Sequence, residues 1–154
     1  MESTDVLVIG SGIAGLCAAI EAARTGATVT VASAGKTMSG SSFFPGTWGL
    51  GLIGPVDEDD EQDLIDTILA VGGGVADPEL VQTFVHGIPQ AIDWLEQDLG
   101  VELQRPQSAK SAQQKQFIPC FDHKTRMWRG LTRKPLEDAL TTWIESLGIH
   151  LLPR

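Results

Sequence analysis

The sequence predicts an α/β fold in which parallel strands are joined by a βαβ crossover and followed by additional helices. The run DVLVIG, residues 5–10, is short, β-branched and continuously apolar, which predicts a strand buried on both faces. Apolar residues then recur three and four positions apart over residues 13–23, which predicts a helix. TVTVAS, residues 28–33, predicts a second strand. One helix between two such strands predicts a right-handed crossover between parallel neighbours.

The rest of the chain alternates helices with two irregular stretches. We expect four segments: 1–56 with the βαβ unit and a glycine-rich loop, 57–103 with a helical pair, 104–131 as a basic loop, and 132–154 with a helix and a third strand. The acids that open the second segment predict a solvated helix start. A doubly wound sheet has about five or six strands. Three strands therefore predict an incomplete portion of a larger domain.

Composition and charge exclude several classes of protein. The chain has 154 residues and a net charge of −9, and no long basic stripe runs through it, which argues against nucleic-acid binding. Residues 37–104 carry 13 acids and no Lys or Arg, whereas residues 105–154 carry nine bases and four acids. We expect these two regions to face each other or a partner chain. The sequence shows no zinc-ligand spacing, so no metal site is expected.

The compartment is predicted from cysteine usage and from hydropathy. Two cysteines, Cys17 and Cys120, are too few for a secreted disulfide scaffold, which favours a reducing compartment and hence the cytoplasm. No basic leader followed by an apolar run is recognised at the start, and no stretch is long and apolar enough for a membrane span. Cys17 lies on the core side of the first predicted helix and is expected to be unreactive.

A glycine motif lies inside the predicted βαβ unit. Residues 10–15, GSGIAG, match G-x-G-x-x-G, follow a strand and open a helix, which is the context that supports dinucleotide binding. Gly10 allows the tight turn, Gly12 lets the backbone approach a pyrophosphate, and Gly15 lets the helix pack closely on the strand. The amides of the first helical turn then face the anion. The motif predicts a Rossmann-like dinucleotide site.

The residues at the end of the second strand do not decide which dinucleotide the chain binds. An acid that binds the adenosine ribose is usual there, but this chain has Ser33, which can bond a ribose hydroxyl without charge. Lys36 is close enough in sequence to suggest a 2′-phosphate, as in NADP. Composition alone does not exclude NADP.

Four stretches of the chain resemble the flavoprotein family of succinate dehydrogenase, fumarate reductase and L-aspartate oxidase. They are residues 5–23, the position of Ser33 and Ala34, the segment GSSFFPGTWG at residues 40–49, and residues 63–101. Ser33 matches the Ser of a Ser-Lys pair in the family, and Ala34 replaces its Lys. The resemblance implies a Rossmann-like FAD-binding fold, of which this chain covers about the first third of the family's usual length.

The resemblance implies a set of FAD-binding residues. They are Gly10, Ser11, Gly12, Ile13, Ala14, Gly15, Ser33, Ala34, Gly40, Ser41, Ser42, Gly46, Thr47, Trp48 and Gly49. Ser41 stands where membrane-bound members carry the His that bonds covalently to the flavin, which implies noncovalent FAD. PGTW at residues 45–48 departs from the family's Ala-Gln-Gly-Gly, which also leaves room for related flavoproteins.

Catalytic residues are not assigned, because the family's substrate-binding and proton-donating residues lie beyond the matched part. His123 and Arg126 occupy a place where aspartate-oxidase-like members have an Arg-rich, His-containing segment near the substrate. A solvated basic loop is the favoured interpretation of the segment, with substrate proximity as the alternative.

The function implied is the FAD-binding part of an oxidoreductase that exchanges hydride with a small dicarboxylate or amino or hydroxy acid. Two alternatives stay open. The first is a noncatalytic FAD-binding subunit or fragment that needs a partner chain, namely the remaining polypeptide of the flavoprotein. The second is an NAD(P)-dependent Rossmann dehydrogenase.

Overall fold

A computed structural model describes residues 3–44, 50–107, 124 and 126–153. The described elements, in chain order, are β1 Val6–Ile9, α1 Ile13–Arg24, β2 Val29–Ser33, a 3₁₀ turn Ser41–Phe43, β3 Leu50–Gly54, α2 Glu58–Val71, α3 Pro78–Asp93, a π-helical turn Trp94–Asp98, β4 Met127–Leu131, α4 Arg133–Ser146 and β5 His150–Pro153. The first of two compact units combines the chain up to residue 50 with the chain from residue 132, and the second spans residues 51–131. The division of the sequence into the segments 1–56, 57–103, 104–131 and 132–154 remains a prediction.

The first unit contains a parallel sheet in the order β1-β2-β5. Val6 pairs with Val29 at the start of the β1–β2 ladder, and Thr30 pairs with His150 at the start of the β2–β5 ladder. Helix α1 packs on β1 and β2 and also against α4. The βαβ unit, the third strand and the additional helices confirm the predicted α/β fold.

One face of this sheet is covered and the other is exposed. Val29 and Val31 point to the face that carries α1 and are buried. Leu7 and Ile9 point to the opposite face and are 56% and 76% exposed, and Leu152 shares the row of Ile9 through their common neighbour in β2. The prediction that the first strand is buried on both faces is therefore wrong for this chain. Its continuous apolar run is nevertheless typical of a strand between two layers.

The second unit packs α2 against α3 and contains the sheet of β3 and β4. Both strands lie in stretches that the sequence predicts as irregular, so that prediction is wrong at residues 50–54 and 127–131. Both strands contain glycine, which is uncommon in strands, so the sequence pattern does not predict them. Gly51 and Gly130 are needed here because they make room for the indole of Trp128. A Cβ on Gly51 would lie 2.7 Å from the indole Nε1, and one on Gly130 would lie 2.3 Å from a ring carbon.

Acidic and basic residues meet inside the second unit. Asp60, in the first turn of α2, is buried and accepts hydrogen bonds from Arg126 Nη1 (2.5 Å) and from the amide of Val56 (2.9 Å). Arg126 also reaches Asp63 Oδ2 at 2.8 Å, and Lys124 Nζ lies 2.5 Å from Asp60 Oδ1. The predicted solvated helix start is thus wrong at Asp60, although residues 57–59 before it are exposed. The expectation that the acidic middle faces the basic end is confirmed at this cluster.

None of the helices in the described ranges is long and apolar enough to cross a membrane. Among the same residues, no group of three or more His, Cys, Asp or Glu side chains is arranged to hold a metal ion.

Candidate functional site

The glycine motif forms a tight turn at the carboxyl end of β1. Gly10 has φ of +105°, a conformation that glycine adopts without the steric cost of a side chain. Its amide donates a hydrogen bond of 2.8 Å to the carbonyl of Ala32, which continues the β1–β2 ladder into the turn. The turn is therefore fixed to the carboxyl end of β2, the edge at which open α/β sheets bind their ligands.

Gly15 brings helix α1 into contact with the turn. A Cβ built on Gly15 would lie 2.0 Å from the carbonyl oxygen of Gly10 and 3.4 Å from Cγ1 of Val8. Real Cβ atoms essentially never approach a heavy atom closer than 3.0 Å. Only glycine fits this position without a backbone shift, as the motif predicts.

The N-terminus of α1 has no side-chain cap. Gly12 occupies the N-cap position, and its carbonyl accepts the first helical hydrogen bond, 3.0 Å from the amide of Leu16. The amides of the first turn have no intrahelical acceptor. No acidic residue lies in this turn, so its positive electrostatic potential is not neutralised locally. A backbone arrangement of this kind can bind a phosphate or diphosphate.

Two serines connect the turn to the end of β2. Ser11 is 3% exposed, and its hydroxyl donates to Ser33 Oγ at 2.8 Å. Ser33 Oγ also accepts from the amide of Gly35 at 3.4 Å, while the hydroxyl of Ser33 keeps its own hydrogen for a further acceptor. Ala34 is exposed beside them. The sequence predicts both serines as ligand-binding residues. It does not predict the hydrogen bond between them, because they are 22 residues apart.

The second glycine-rich segment approaches the first. Gly40 has φ of +124°, and a Cβ there would lie 3.9 Å from the Cα of Gly12. The 3₁₀ turn follows, and Phe43 anchors it in the core, whereas Ser41 is exposed and Ser42 half-buried. The structure thus brings the residues 10–15, Ser33 and Gly40 together. The predicted ligand residues Gly46, Thr47, Trp48 and Gly49 lie outside the described residues.

Two cavities open at opposite ends of the first unit. A larger one of about 1010 Å³ lies beside the amino ends of the strands, where Thr28 and His150 line it. A smaller one of about 410 Å³ is lined by residues 36–40, which lead away from β2. Size alone favours the first cavity, but the glycine turn and the uncapped helix lie at the carboxyl end. The features that can bind a dinucleotide therefore lie at the carboxyl end of the sheet.

Arg126 is a buried structural residue. Its side chain is 0% exposed and is enclosed by Asp60, Asp63 and the hydroxyl of Thr67 at 3.4 Å. The favoured prediction, a solvated basic loop, is therefore wrong at Arg126. Burial disfavours ionisation of Asp60, but the hydrogen bonds from Lys124 and Val56 and the charge of Arg126 outweigh it. The pKa of Asp60 consequently lies below its ordinary value. His123 lies outside the described residues.

Cys17 is a half-buried thiol with a raised pKa. Burial, assisted by the charge of Glu21, raises the pKa of Cys17 to about 11, so almost none of the reactive thiolate is present at neutral pH. This agrees with the expectation of an unreactive thiol. Cys120 lies outside the described residues.

The fold and the glycine turn define a dinucleotide-binding domain of the Rossmann-like type. Comparison with known proteins identifies it further: residues 5–148 match the family described as FAD binding domain, and the chain belongs to that family. FAD is the dinucleotide of this family, and the geometry of the turn fits its diphosphate. The resemblance inferred from the motifs is thereby confirmed.

Relatives of the chain are flavoprotein oxidoreductases. An L-aspartate oxidase of Halobacterium salinarum is 45% identical over 100 residues, which are 64% of this chain and 19% of that protein. An NADH:fumarate oxidoreductase of Klebsiella pneumoniae is 32% identical over 66% of this chain and 12% of that protein. A flavocytochrome c3 fumarate reductase structure superposes with a TM-score of 0.69 at 23% identity, over 97% of this chain and 26% of that one, which shows the shared fold. The chain thus spans a minor part of the length of these relatives.

Proposed function

We propose that the chain is the FAD-binding part of an FAD-dependent oxidoreductase that acts on a small dicarboxylate or an amino or hydroxy acid. The observation that carries this proposal is the glycine turn, in which Gly15 excludes any side chain and Gly12 leaves the first amides of α1 without a cap. When bound, the flavin supplies hydride exchange with a substrate carbon, and the protein supplies position and electrostatics.

Different residues of the site would contact different parts of the cofactor. The backbone amides of Ile13, Ala14 and Gly15 would hold the diphosphate, because they are the free donors of an uncapped helix. Ser33 and the backbone of Ala34 would face the adenosine ribose from the end of β2. Ser11 would act through Ser33, since its hydroxyl is already committed to Ser33 Oγ.

The second glycine-rich segment would continue along the cofactor toward the flavin. Gly40 lies against Gly12, and Ser41 and Ser42 follow as hydroxyl donors. Gly46, Thr47, Trp48 and Gly49 remain proposed flavin contacts on the strength of the resemblance alone. Ser41 in place of a His supports noncovalent attachment, because a serine hydroxyl does not form the covalent flavin bond of the membrane-bound members.

The substrate class rests on the relatives. The proteins named L-aspartate oxidase and NADH:fumarate oxidoreductase act, by their names, on four-carbon acids. The described residues of this chain supply no assigned acid or base for such a reaction. We therefore propose that the catalytic residues belong to further polypeptide, either in the same chain or in a partner chain. The small number of cysteines favours the cytoplasm as the compartment.

The exposed sheet face supports a requirement for further polypeptide. Parallel sheets occur almost only with both faces covered. Here the row formed by Ile9, Ala32 and Leu152 is open on the face opposite α1. The same observation favours a second candidate function, a noncatalytic FAD-binding subunit whose partner carries the chemistry.

The test is the flavin content of the protein and the manner of its attachment. The purified protein is precipitated with acid, and the flavin in the supernatant is identified by chromatography. We expect FAD in the supernatant, because the attachment is noncovalent. Flavin that stays in the pellet would contradict noncovalent binding, and a nicotinamide dinucleotide without flavin would contradict the proposal as a whole.

Activity separates the two candidate functions. The flavin is reduced anaerobically, and its reoxidation by fumarate is followed with and without the remaining polypeptide. Reoxidation by fumarate in the presence of that polypeptide supports an oxidoreductase of four-carbon acids. Bound FAD that no small acid reduces or reoxidises, even in the complete assembly, would favour the noncatalytic subunit.

A further inference from the structure

The smaller cavity at the carboxyl end of the sheet is lined by two cationic side chains. Lys36 belongs to the segment that leaves β2, and Arg133 is the first residue of α4. Phe43 and Phe44 complete its wall together with residues 37–40. Among the described residues that line the cavity there is no Asp or Glu, so these residues give its wall positive charge without a carboxylate.

The two cationic side chains of this cavity have N–H donors that make no hydrogen bond to the described residues. Arg133 Nε lies 2.6 Å from Glu137 Oε1, which fixes the guanidinium against its own helix. Within the described residues, the two Nη atoms of Arg133 and Nζ of Lys36 make no hydrogen bond. The N-terminus of α4 adds to the positive potential, because Thr132 provides no side-chain cap and no acid lies in the first turn.

The cavity borders the glycine turn. The backbone carbonyl oxygen of Lys36 lies 3.4 Å from Ser11 Oγ, and Gly40, which lines the cavity, lies against Gly12. A ligand whose phosphate reaches the uncapped helix α1 therefore lies next to a cavity that offers two further cationic groups. Arginine in particular matches the oxygens of a phosphate through paired N–H donors.

We propose that Lys36 and Arg133 form a phosphate-binding pair that contacts the phosphate oxygens of the bound dinucleotide and adds to its affinity. This inference rests on the proposed function, since it places the diphosphate of FAD beside the pair. The same chemistry would suit the 2′-phosphate of NADP, and the experiment below distinguishes the two sources.

The test compares Arg133→Gln and Lys36→Gln with a matched control, Lys134→Gln. Lys134 neighbours Arg133, forms a similar ion pair one helical turn away with Asp138, does not line the cavity, and has a side chain that is 79% exposed. The intact encoded protein is stripped of flavin and titrated with FAD at low and high salt. Chemical denaturation of each variant confirms that it folds.

A lost charge-assisted hydrogen bond predicts about 10–100-fold weaker binding. We therefore expect each cavity variant to bind FAD about tenfold or more weakly, with a smaller salt dependence, and the control to match the wild type. ADP should compete with FAD in the wild type, whereas adenosine, which lacks the phosphates, should compete far less. Inorganic phosphate alone should compete weakly and lose that effect in the cavity variants.

Three results would overturn the inference. The first is FAD affinity that is unchanged in both cavity variants. The second is an equal loss in the Lys134→Gln control. The third is a selective loss of NADPH binding with FAD unaffected, which would assign the pair to a 2′-phosphate. A wild-type protein that binds no FAD at all would instead overturn the proposed function, so the two failures are distinguishable.

Discussion

Replacement of Gly15 by alanine tests the packing of the glycine turn. The new Cβ would lie 2.0 Å from the carbonyl oxygen of Gly10, at least 1.0 Å inside the shortest contact that real Cβ atoms make. The obstacle is backbone, and the amide of the same glycine is held by Ala32 at 2.8 Å. The substitution must therefore move α1 or the turn by about 1 Å.

The expected cost follows from two opposing contributions. Overpacking in a well-packed region costs about 1–3 kcal/mol. Alanine gains up to about 1 kcal/mol over glycine from helix propensity alone. We expect Gly15→Ala to lower the free energy of unfolding by about 1–2 kcal/mol and to weaken FAD binding at least tenfold, because the first-turn amides move.

Gly12→Ala is the matched control. A Cβ at Gly12 would meet only the carbonyl oxygen of Ser39 at 3.7 Å, an ordinary contact, and its backbone is extended. We expect its stability to stay within about 1 kcal/mol of the wild type, while FAD affinity falls because the methyl group blocks the approach of the diphosphate. Urea denaturation and FAD titration measure both variants. A Gly15→Ala protein that is as stable as the wild type would refute the packing argument.

Further variants test the second unit and the buried thiol. Arg126→Met should cost about 3 kcal/mol in urea denaturation, because it leaves Asp60 buried with Lys124 as its remaining cationic partner; a loss below about 1 kcal/mol would contradict a buried ion pair. Because the pKa of Asp60 is lower in the folded state than in the unfolded state, its stabilisation is complete above the unfolded value of about 3.9 and is lost as the pH falls through the folded value. Denaturation at a series of acidic pH values should therefore show a steeper loss for the wild type than for Asp60→Asn, and parallel curves would argue against the assignment. Gly87→Ala, at an α3 position where the added Cβ meets nothing within 4 Å apart from its chain neighbours and the backbone of its own helix, should raise the free energy of unfolding by about 0.5–1 kcal/mol, and a decrease would mean that the site is packed. The Cys17 peptide should be alkylated slowly at neutral pH and faster as the pH approaches 11, as followed by mass spectrometry; rapid labelling at neutral pH would contradict the raised pKa.

The sequence predicts the first unit well because its signals are local. The G-x-G-x-x-G spacing requires only six consecutive residues, and the strand and helix around it have clear apolar periods. The conclusions about Gly10 and Gly15 follow from backbone geometry that any such turn shares. The third strand is recognised for a similar reason, since it is a short apolar run after a glycine.

What the sequence does not predict depends on contacts between distant residues. The paired strands β3 and β4 place the indole of Trp128 over Gly51 and Gly130, and no local pattern encodes that contact. Arg126 and Asp60 are 66 residues apart, and each is surrounded in sequence by other charged residues that suggest a solvated surface. The bond between Ser11 and Ser33 is hidden for the same reason.

At the first strand, the sequence pattern predicts more burial than the described chain provides. The pattern of β1 correctly indicates a strand that belongs between two layers, whereas the described chain supplies one layer. A local pattern reports the environment in which a strand is stable, and Leu7 and Ile9 have no such environment here.

The central claim is that the glycine turn binds FAD, and titration of flavin-free protein with FAD tests it most directly. We predict saturation at one FAD per chain, with NADP(H) unable to displace it at comparable concentrations and with binding weakened in both Gly12→Ala and Gly15→Ala. Saturable binding of NADPH in preference to FAD, or FAD binding that neither glycine substitution alters, would contradict the account.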